Sequence, residues 1–260
     1  IRLNKRSLVQ LGYGVNQRRI RATIASTTGS IAVDIACDKE ETKNLLEAAE
    51  IPVPRGTVIR TEVGLREAVE KFGYPLVIKP IDGNHGKGNT TNITTWEQAQ
   101  TAFAAAKQYS RSVIVEKYIT GFDFRALVIN YKFICAALRT PASVIGDGKN
   151  TIQHLIDETN KDPRRGYGHE KVLTQITIDQ FTQKMLDEKG YTLETIPAKD
   201  ELVLLKPTAN LSTGGTSTDV TDEVHPANII MCERIAKIIG LDICGIDIMA
   251  ENLTQPLKET

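Results

Sequence analysis

The sequence predicts an α+β fold with more than one lobe, because helical and strand patterns are mixed along its length. Residues 61–72 place apolar side chains at the spacing of an amphipathic helix, and residues 76–78 form a short apolar run typical of a buried strand. The runs at 126–130 and 133–138 are separated by two residues, which predicts a β-hairpin and therefore antiparallel pairing. With 260 residues, the chain is long enough to bury more than one core.

The composition is that of an ordinary globular protein and argues against several classes of partner. Charged residues make up 25% of the chain, and 32 basic residues balance 32 acidic ones. This balance gives no overall field that favours nucleic acid or an anionic membrane, so any anion site has to be local. The four cysteines are far apart and lack a Cys-x-x-Cys pair, which predicts reduced core cysteines in a cytoplasmic protein. The sequence shows neither a signal peptide nor a run long enough to span a membrane.

The N-terminal part of the chain predicts a basic lead-in, a short buried element and a helix. Residues 1–22 are basic, and residues 31–36 are apolar and β-prone enough for a short buried element. Asp38 begins the helix, and Glu41 follows three residues later as in a capping box. The helix has to end before Pro52, because a proline pushes the preceding residue out of the helical region.

The later elements are predicted from the same periodicities and from capping residues such as Thr95. Residues 146–148 are predicted to form a turn, since they contain Gly-Asp-Gly. Helices are predicted at residues 61–72, 95–108, 151–160, 174–190 and 229–240, and further strands at residues 76–78, 112–116, 203–205 and 243–249.

The segment after the strand at residues 76–78 has the features of a phosphate-binding loop. The strand ends at Lys79, and a partly buried ammonium group needs an anion nearby. Residues 83–88 contain three glycines, which allow backbone N–H groups to approach phosphate oxygens, and His85 and Lys87 add side-chain donors. The spacing fits neither a Walker A loop nor a dinucleotide fingerprint. The sequence predicts a triphosphate-binding loop here, and a simple hairpin turn is the alternative.

Asp247 is an acidic residue within the apolar strand predicted at residues 243–249. A carboxylate in such a position requires a compensating partner. The partner is either a structural cation, such as an arginine, or a bound metal ion. A triphosphate nearby favours Mg²⁺, which binds one or two carboxylates together with phosphate oxygens.

Several short motifs follow one another in a distinctive order. In this order the chain resembles the ATP-grasp carboxylate–amine ligases, and the match covers nearly the whole chain. The resemblance implies two α+β lobes that clamp a nucleotide, with mixed and largely antiparallel sheets. The motifs are Asp38-Lys39, Ile51-Pro-Val-Pro54, Val77-Ile-Lys79-Pro80, Val115-Glu116-Lys117-Tyr-Ile119, Asp123 and Gly245-Ile-Asp247.

Longer segments restrict the resemblance to one group within this superfamily. They are Ser7-Leu-Val-Gln-Leu-Gly-Tyr-Gly14, Asp82-Gly-Asn-His-Gly-Lys-Gly88, Asp162-Pro-Arg-Arg165, Gly168-His-Glu170 and Thr208-Ala-Asn-Leu-Ser-Thr-Gly-Gly-Thr216. Within the superfamily, these segments are most similar to the ATP-grasp portion of the cyanophycin synthetases. They argue against the main alternative, a glutathione-synthetase-like or other amino-acid ligase.

The resemblance implies a nucleotide site, and its roles can be assigned to residues of this sequence. Lys39 and Lys79 match the two lysines that bind ATP phosphates, and Asp247 matches a carboxylate that binds Mg²⁺. Asp123 matches the carboxylate that binds the ribose hydroxyl groups. The mobile loop over the phosphates is matched by Gly83, Asn84, His85, Gly86, Lys87 and Gly88, and the strand that holds adenine by Glu116, Lys117 and Ile119.

The implied reaction joins a carboxylate to an amine. The C-terminal carboxylate of a polyaspartate chain attacks the γ-phosphate to give an acyl phosphate, and the amine of aspartate then displaces phosphate. Such chemistry depends on positioning and charge neutralisation. The catalytic candidates are Lys79, His85, Arg125 and Asn210, and the candidates for binding an acidic peptide primer are Arg164, Arg165, His169 and Lys206, with Arg139 as a further cation.

The sequence also departs from the family pattern. Lys206-Pro207 stand where relatives commonly have arginine and a small residue, and lysine lacks the fork that grips a carboxylate bidentately. The chain ends before the family's final Glu-x-Asn strand, which supplies further metal ligands, so it is expected to be one piece of a longer, homo-oligomeric enzyme. The expected division is an N-terminal segment (1–51), a small lobe (52–120) and a larger lobe (121–260). A truncated chain that binds nucleotide without turnover is the third interpretation.

Overall fold

A computed structural model of the protein describes residues 1–4, 7–82, 88–168 and 170–257. Helices and mostly antiparallel sheets confirm the predicted α+β class. The helices are α1 (Ser30–Cys37), α2 (Lys39–Ala48), α3 (Glu62–Phe72), α4 (Trp96–Lys107), α5 (Ile152–Asn160), α6 (Gln180–Asp187) and α7 (Pro226–Ile239). The strands are β1 (Leu8–Leu11), β2 (Arg18–Arg21), β3 (Ile24–Ala25), β4 (Gly56–Ile59), β5 (Leu76–Pro80), β6 (Thr90–Ile93), β7 (Val113–Lys117), β8 (Phe122–Ile129), β9 (Lys132–Thr140), β10 (Ser143–Ile145), β11 (Arg165–Gly166), β12 (Leu173–Thr174), β13 (Leu202–Leu204), β14 (Thr216–Asp219) and β15 (Ile243–Ala250).

The first of two four-stranded sheets, here called the Lys79 sheet, has the antiparallel strand order β4-β7-β5-β6. Helices α3 and α4 cover it, and Leu65, Leu76, Ile78 and Val113 are fully buried between the layers. The predicted Thr95 cap is confirmed, since its side chain accepts a hydrogen bond from a backbone N–H in the first turn of α4. Two helices bury one face of this sheet, and this burial fixes the register of β5. The register in turn fixes the position of Lys79.

The second sheet, here called the Asp247 sheet, has the order β14-β9-β8-β15 and is antiparallel throughout. Helix α7 packs on one face, where Val128, Cys232 and Ala236 are buried. Because strand side chains alternate between faces, the residues opposite Arg125, including Asp247, point away from α7. The predicted hairpin is confirmed as β8 and β9.

A smaller unit of helices α5 and α6 packs around the two-stranded sheet β10-β13. Its core contains Ile152, Ile156, Leu186 and Val203, each at most 1% exposed. The predicted helix over 174–190 is shorter in the structure, because α6 begins only at residue 180. Asp179 accepts hydrogen bonds from the first backbone N–H groups of α6 and so sets its start. Residues 173–174 instead form β12, which pairs with β11 in the parallel direction.

The N-terminal prediction is partly wrong. Residues 31–36 lie in the helix α1 rather than in a β-rich buried element, and within α1 only Ala32 is buried. The described part of residues 1–22, predicted only as a basic lead-in, contributes to a three-stranded sheet, β1-β2-β3. Asp38 caps α2 as predicted: its carboxylate accepts the backbone N–H groups of Glu40 and Glu41 at 2.9 and 3.0 Å.

The cysteine prediction is confirmed only in part. Cys37, Cys135, Cys232 and Cys244 are all free thiols, but only Cys232 is fully buried and Cys37 is exposed. Burial raises the pKa of the Cys232 thiol to about 12, so this side chain behaves as a core residue. Among the described residues, no helix combines the length and apolar character needed to cross a bilayer.

Candidate active site

A buried carboxylate joins two lysines, one of them on β5, the strand that precedes the predicted phosphate loop in the sequence. Glu116, at the end of β7, is 8% exposed. Its Oε2 lies 2.5 Å from the Lys79 Nζ on β5, and its Oε1 lies 3.3 Å from the Lys43 Nζ on α2. The resemblance implies a role for Glu116 in the strand that holds adenine, and that role stays a prediction; the Glu116 side chain neutralises the predicted phosphate-binding lysine. The pairing is possible because Val77, two residues before Lys79 and on the same face of β5, stands opposite Glu116 in the antiparallel register.

Lys39 lies in the same neighbourhood. It is the first residue of α2, and its ammonium donates to the Ile81 carbonyl oxygen at 3.3 Å. Burial and the nearby Lys79 lower the pKa of Lys39, and Asp82 and Glu116 oppose that shift. Lys39 and Lys79 are therefore close enough to repel each other, as expected for two groups that share one polyanionic ligand. The structure brings together the two lysines that the sequence singled out.

The predicted loop itself, Gly83, Asn84, His85, Gly86 and Lys87, lies outside the described residues. Its last predicted member, Gly88, is described and has φ +72°. A Cβ added there would lie 2.7 Å from the Tyr109 Cδ2, so the backbone after the loop passes too close to this ring for a side chain.

The segment after β7 has backbone groups suited to hold a flat base. The Lys117 N–H donates to the Arg55 carbonyl, its ammonium donates to the Tyr74 carbonyl at 2.7 Å, and the Tyr118 N–H donates to the Pro75 carbonyl. These bonds fix the segment against β4 and β5. For the next residue, Ile119, no backbone hydrogen-bond partner is found among the described residues. The resemblance implies that this residue binds adenine, and that role stays a prediction.

Four charged side chains form a second cluster on the open face of the Asp247 sheet. Asp247 Oδ1 lies 2.7 Å from Arg125 Nη1 and 3.0 Å from Arg139 Nη2. Arg139 also binds Asp123 Oδ1 through Nε at 3.0 Å and Nη2 at 2.5 Å. The expectation of a buried Asp247 is wrong, because its side chain is 59% exposed. The expectation that it has a compensating cation is met by two arginines.

The two adjacent candidates Arg164 and Arg165 differ in environment. Arg164 is exposed and pairs with Asp162 at 2.7 Å; its guanidinium, assisted by its backbone N–H, lowers the pKa of that carboxyl to about 2. Arg165 is buried, and its Nη1 donates to the carbonyl oxygens of Thr174 at 2.7 Å and Gly214 at 3.0 Å. Arg164 is therefore accessible to a ligand, while Arg165 ties together backbone segments.

Of the remaining predicted catalytic and substrate residues, Lys206 is buried and Asn210 is exposed. Lys206 is 2% exposed, and its ammonium lies 2.7 Å from Asp179 Oδ1, the cap of α6. Asn210 is exposed, and its carbonyl accepts the Gly215 N–H, which closes the turn after β13. His169 lies outside the described residues.

Sequence reasoning missed Lys43. The available signal was its spacing from Lys39, since residues four apart share one face of a helix. Both side chains lie on the side of α2 that faces β5 and β7. Within the described ranges, no group of three His, Cys, Asp or Glu side chains is arranged to hold a metal ion.

Comparisons with known proteins show which proteins the chain resembles. Residues 44–132 match the ATP-grasp domain. Over 260 residues the chain is 53% identical to a cyanophycin synthetase of Trichormus variabilis, a match that covers 100% of this chain and 29% of that protein. Over 232 residues it is 34% identical to the glutathione biosynthesis bifunctional protein GshAB of Mannheimia succiniciproducens, covering 85% of this chain and 30% of the relative. The chain thus spans less than a third of the length of these relatives.

Solved structures give the same fold. A bifunctional glutathione synthetase from Pasteurella multocida is similar with a TM-score of 0.68 and 32% identity, covering 96% of this chain and 34% of that one. A D-alanine–D-alanine ligase from Bacillus anthracis has a TM-score of 0.54 at 13% identity, covering 89% of this chain and 58% of that one. The chain therefore has the ATP-grasp fold and, over its whole length, resembles the ATP-grasp portion of the cyanophycin synthetases.

Proposed function

We propose that the chain is the ATP-dependent ligase portion of an enzyme that extends polyaspartate. It would activate the C-terminal carboxylate of the growing chain and join aspartate to it by a peptide bond. The observation that carries the proposal is the convergence of Lys39 and Lys79 at the end of β5, in a chain 53% identical to a cyanophycin synthetase.

The described residues fit a nucleotide. Lys39 and Lys79 supply positive charge for phosphates, and the glycine-rich loop follows β5 directly. The Ile119 backbone lacks partners among the described residues and would recognise the base edge, while Asp123 would accept the ribose hydroxyls. Each group would act by binding and orientation, which is what phosphoryl transfer requires.

A preformed magnesium site is not found among the described residues. Asp247 would contribute one carboxylate to a magnesium ion, beside phosphate oxygens. Arg125 and Arg139 would then have to release this carboxylate.

The proposed chemistry has two stages. The C-terminal carboxylate attacks the γ-phosphorus, the bond to the β,γ-bridging oxygen breaks, and ADP leaves. The amine of aspartate then attacks the acyl carbon, loses a proton and displaces inorganic phosphate. Lys79 and the loop residue His85 would neutralise charge on the transferred group, and Arg125 and Asn210 would orient the carboxylate.

An acidic primer requires cations beyond the nucleotide site. Arg164 is suited to this role, because its side chain is 71% exposed at a loop. Lys206 and Arg165 are buried and would act by shaping the loop around Asn210, and His169 remains a proposed primer contact. We also propose that residues 1–51, 52–120 and 121–260 are the N-terminal segment, the small lobe and the larger lobe.

The test measures ADP release with Mg-ATP, aspartate and an aspartate-rich primer. It compares the 260-residue chain with a longer protein that continues past Thr260. Release that depends on both primer and aspartate supports the proposal. The Lys79→Ala variant should lose at least about a hundredfold of this activity, whereas the matched variant Lys132→Ala, at an exposed lysine, should keep it.

Two other outcomes would favour the alternatives. Release with different amino acids and without primer would indicate a ligase like the glutathione-forming relatives, a possibility that the 34% identity to GshAB keeps open. Nucleotide binding without turnover in both proteins would indicate a nucleotide-binding module.

A further inference from the structure

The Glu116 carboxylate holds a lysine that the proposed nucleotide would need. Its side chain is 10% exposed and lies between the Lys79 and Lys43 ammonium groups at 2.5 and 3.3 Å. If Lys79 turns towards a phosphate group, Glu116 loses its shorter ion pair. A buried carboxylate without a counter-charge is strongly disfavoured. Transfer of Lys79 to a ligand therefore requires a second cation at Glu116.

Lys43 meets this requirement from a different element. Lys79 and Glu116 lie on neighbouring strands of one sheet, whereas Lys43 reaches Glu116 from α2. The Lys43 side chain is only 17% exposed, so water screens its interaction with Glu116 weakly. It binds the other carboxylate oxygen, Oε1, and can keep this contact when Oε2 is released.

We infer that Lys43 is a positioning residue that keeps Glu116 neutralised while Lys79 moves from the carboxylate to the phosphates of ATP. This inference rests on the proposed function, because it assumes that Lys79 binds a nucleotide. Lys43 acts through Glu116 and does not itself contact the phosphates. The pair Lys43–Glu116 lowers the free-energy cost of releasing Lys79 and so favours ATP binding.

The experiment is a set of calorimetric titrations of the full chain with Mg-ATP. Lys43→Met should raise the Kd for ATP about tenfold, equivalent to ~1.4 kcal/mol. Lys43→Arg keeps the charge and should restore affinity to within about twofold of the unaltered chain. Lys132→Met is the matched control: Lys132 also lies 3.4 Å from a glutamate, Glu233, but is exposed on the other sheet, and its removal should leave the Kd unchanged.

The double variant Lys43→Met with Glu116→Gln shows whether Lys43 acts through Glu116 or contacts the nucleotide directly. Without a charge at Glu116, Lys79 has no buried carboxylate to leave, so the double variant should bind ATP more tightly than Lys43→Met alone. A double variant as weak as Lys43→Met would mean that Lys43 contacts the nucleotide directly, and would overturn the inference. Glu116→Gln alone should bind at least as tightly as the unaltered chain, which provides a test even where Lys43→Met does not fold.

The outcomes also separate this inference from the proposed function. An unaltered, folded chain that does not bind ATP would contradict both. An unaltered chain that binds ATP, together with a folded Lys43→Met variant of equal affinity, would contradict only the role of Lys43.

Discussion

Two neighbouring arginines show how burial decides the role of a single side chain. Arg164 is 71% exposed in its side chain, so its charge is available to a ligand, although it pairs with Asp162 in the structure. Arg165 is 6% exposed as a residue, and both described hydrogen bonds of its guanidinium go to backbone carbonyl oxygens. Burial lowers the pKa of Arg165, but the group remains charged. The first arginine is placed to recognise anions and the second to hold the fold.

We expect the two alanine variants to have opposite effects. Arg164→Ala should raise the KM for an acidic primer about threefold to tenfold without affecting thermal stability, since exposed ion pairs contribute little. Arg165→Ala should destabilise the protein by about 1–3 kcal/mol, because the buried Gly214 carbonyl and the partly buried Thr174 carbonyl lose their donor. Urea unfolding and primer titrations measure the two effects, with Lys161→Ala as the exposed control. A stable Arg165→Ala variant with a raised primer KM would contradict this assignment.

The pH dependence of ATP binding should report on Lys39. Because burial and Lys79 lower the pKa of Lys39, this side chain loses its proton at a lower pH than an exposed lysine. The charged form binds phosphate, so ATP affinity should fall as the pH rises through this lowered pKa. Arginine stays protonated, and the Lys39→Arg variant should lose less affinity as the pH rises from neutral towards the range in which an exposed lysine titrates. Parallel profiles for the two proteins would show that Lys39 does not titrate in the site.

At the scale of secondary structure, the start of α6 depends on an ion pair between the exposed Asp179 and the buried Lys206. Asp179 caps the helix and lies 2.7 Å from the ammonium of Lys206, which is 3% exposed in its side chain. Burial alone would raise the pKa of Asp179, but Lys206 and the helix N–H groups outweigh this and lower it. The carboxylate therefore contributes stability that is present at neutral pH and lost as the pH falls through its lowered pKa.

The two partners of this pair should not be equivalent on substitution. Asp179→Ala removes the helix cap and leaves the Lys206 charge buried and unpaired, so we expect a loss of about 3 kcal/mol or more. Lys206→Met removes the buried charge and leaves a half-exposed, solvated carboxylate that still caps α6, so the loss should be smaller. Urea unfolding of both variants at neutral pH measures the difference. An equal or larger loss for Lys206→Met would contradict this explanation.

Elements with local end signals could be predicted from the sequence, and those without them could not. Asp38, Thr61 and Thr95 act as helix caps in the structure because a cap depends only on residues within one turn. Residues 31–36 were assigned wrongly, because a short apolar run has no periodicity that separates strand from helix.

In the site, the sequence identified Lys39, Lys79 and Asp247, but their partners depend on strand register and helix packing. Glu116 and Lys43 come together only in the folded chain, 73 residues apart in sequence. The same is true of Asp247 and Arg125, which register places opposite each other on β15 and β8.

For the molecule as a whole, the connection from β7 to β8 links the Lys79 sheet to the Asp247 sheet. It contains Ile119, the candidate for binding the base, and leads to Asp123, the candidate for binding the ribose. Gly121 lies between them with φ +142°, and a Cβ there would lie 2.6 Å from the backbone of Ala250 on β15. This close approach lets β8 begin its pairing with β15 at the next residue. Gly121 thus sets the position of Asp123, the candidate for binding the ribose, relative to Ile119, the candidate for binding the base.

Gly121→Ala should therefore affect both stability and nucleotide binding. Its backbone conformation is unfavourable for alanine, and the clash with Ala250 cannot be relieved by a side-chain rotation, so we expect a loss of about 1–3 kcal/mol. The shift of β8 away from β15 would also displace Asp123 relative to Ile119 and raise the Kd for ATP about tenfold.

Gly29→Ala is the control, because Gly29 has φ −68° and no atom lies within 4 Å of an added Cβ. This variant should lose about 1 kcal/mol of stability at most and bind ATP normally. Calorimetric titration and urea unfolding of both variants measure these effects. If Gly121→Ala bound ATP like the control, the base and the ribose would not be held by the two ends of this connection.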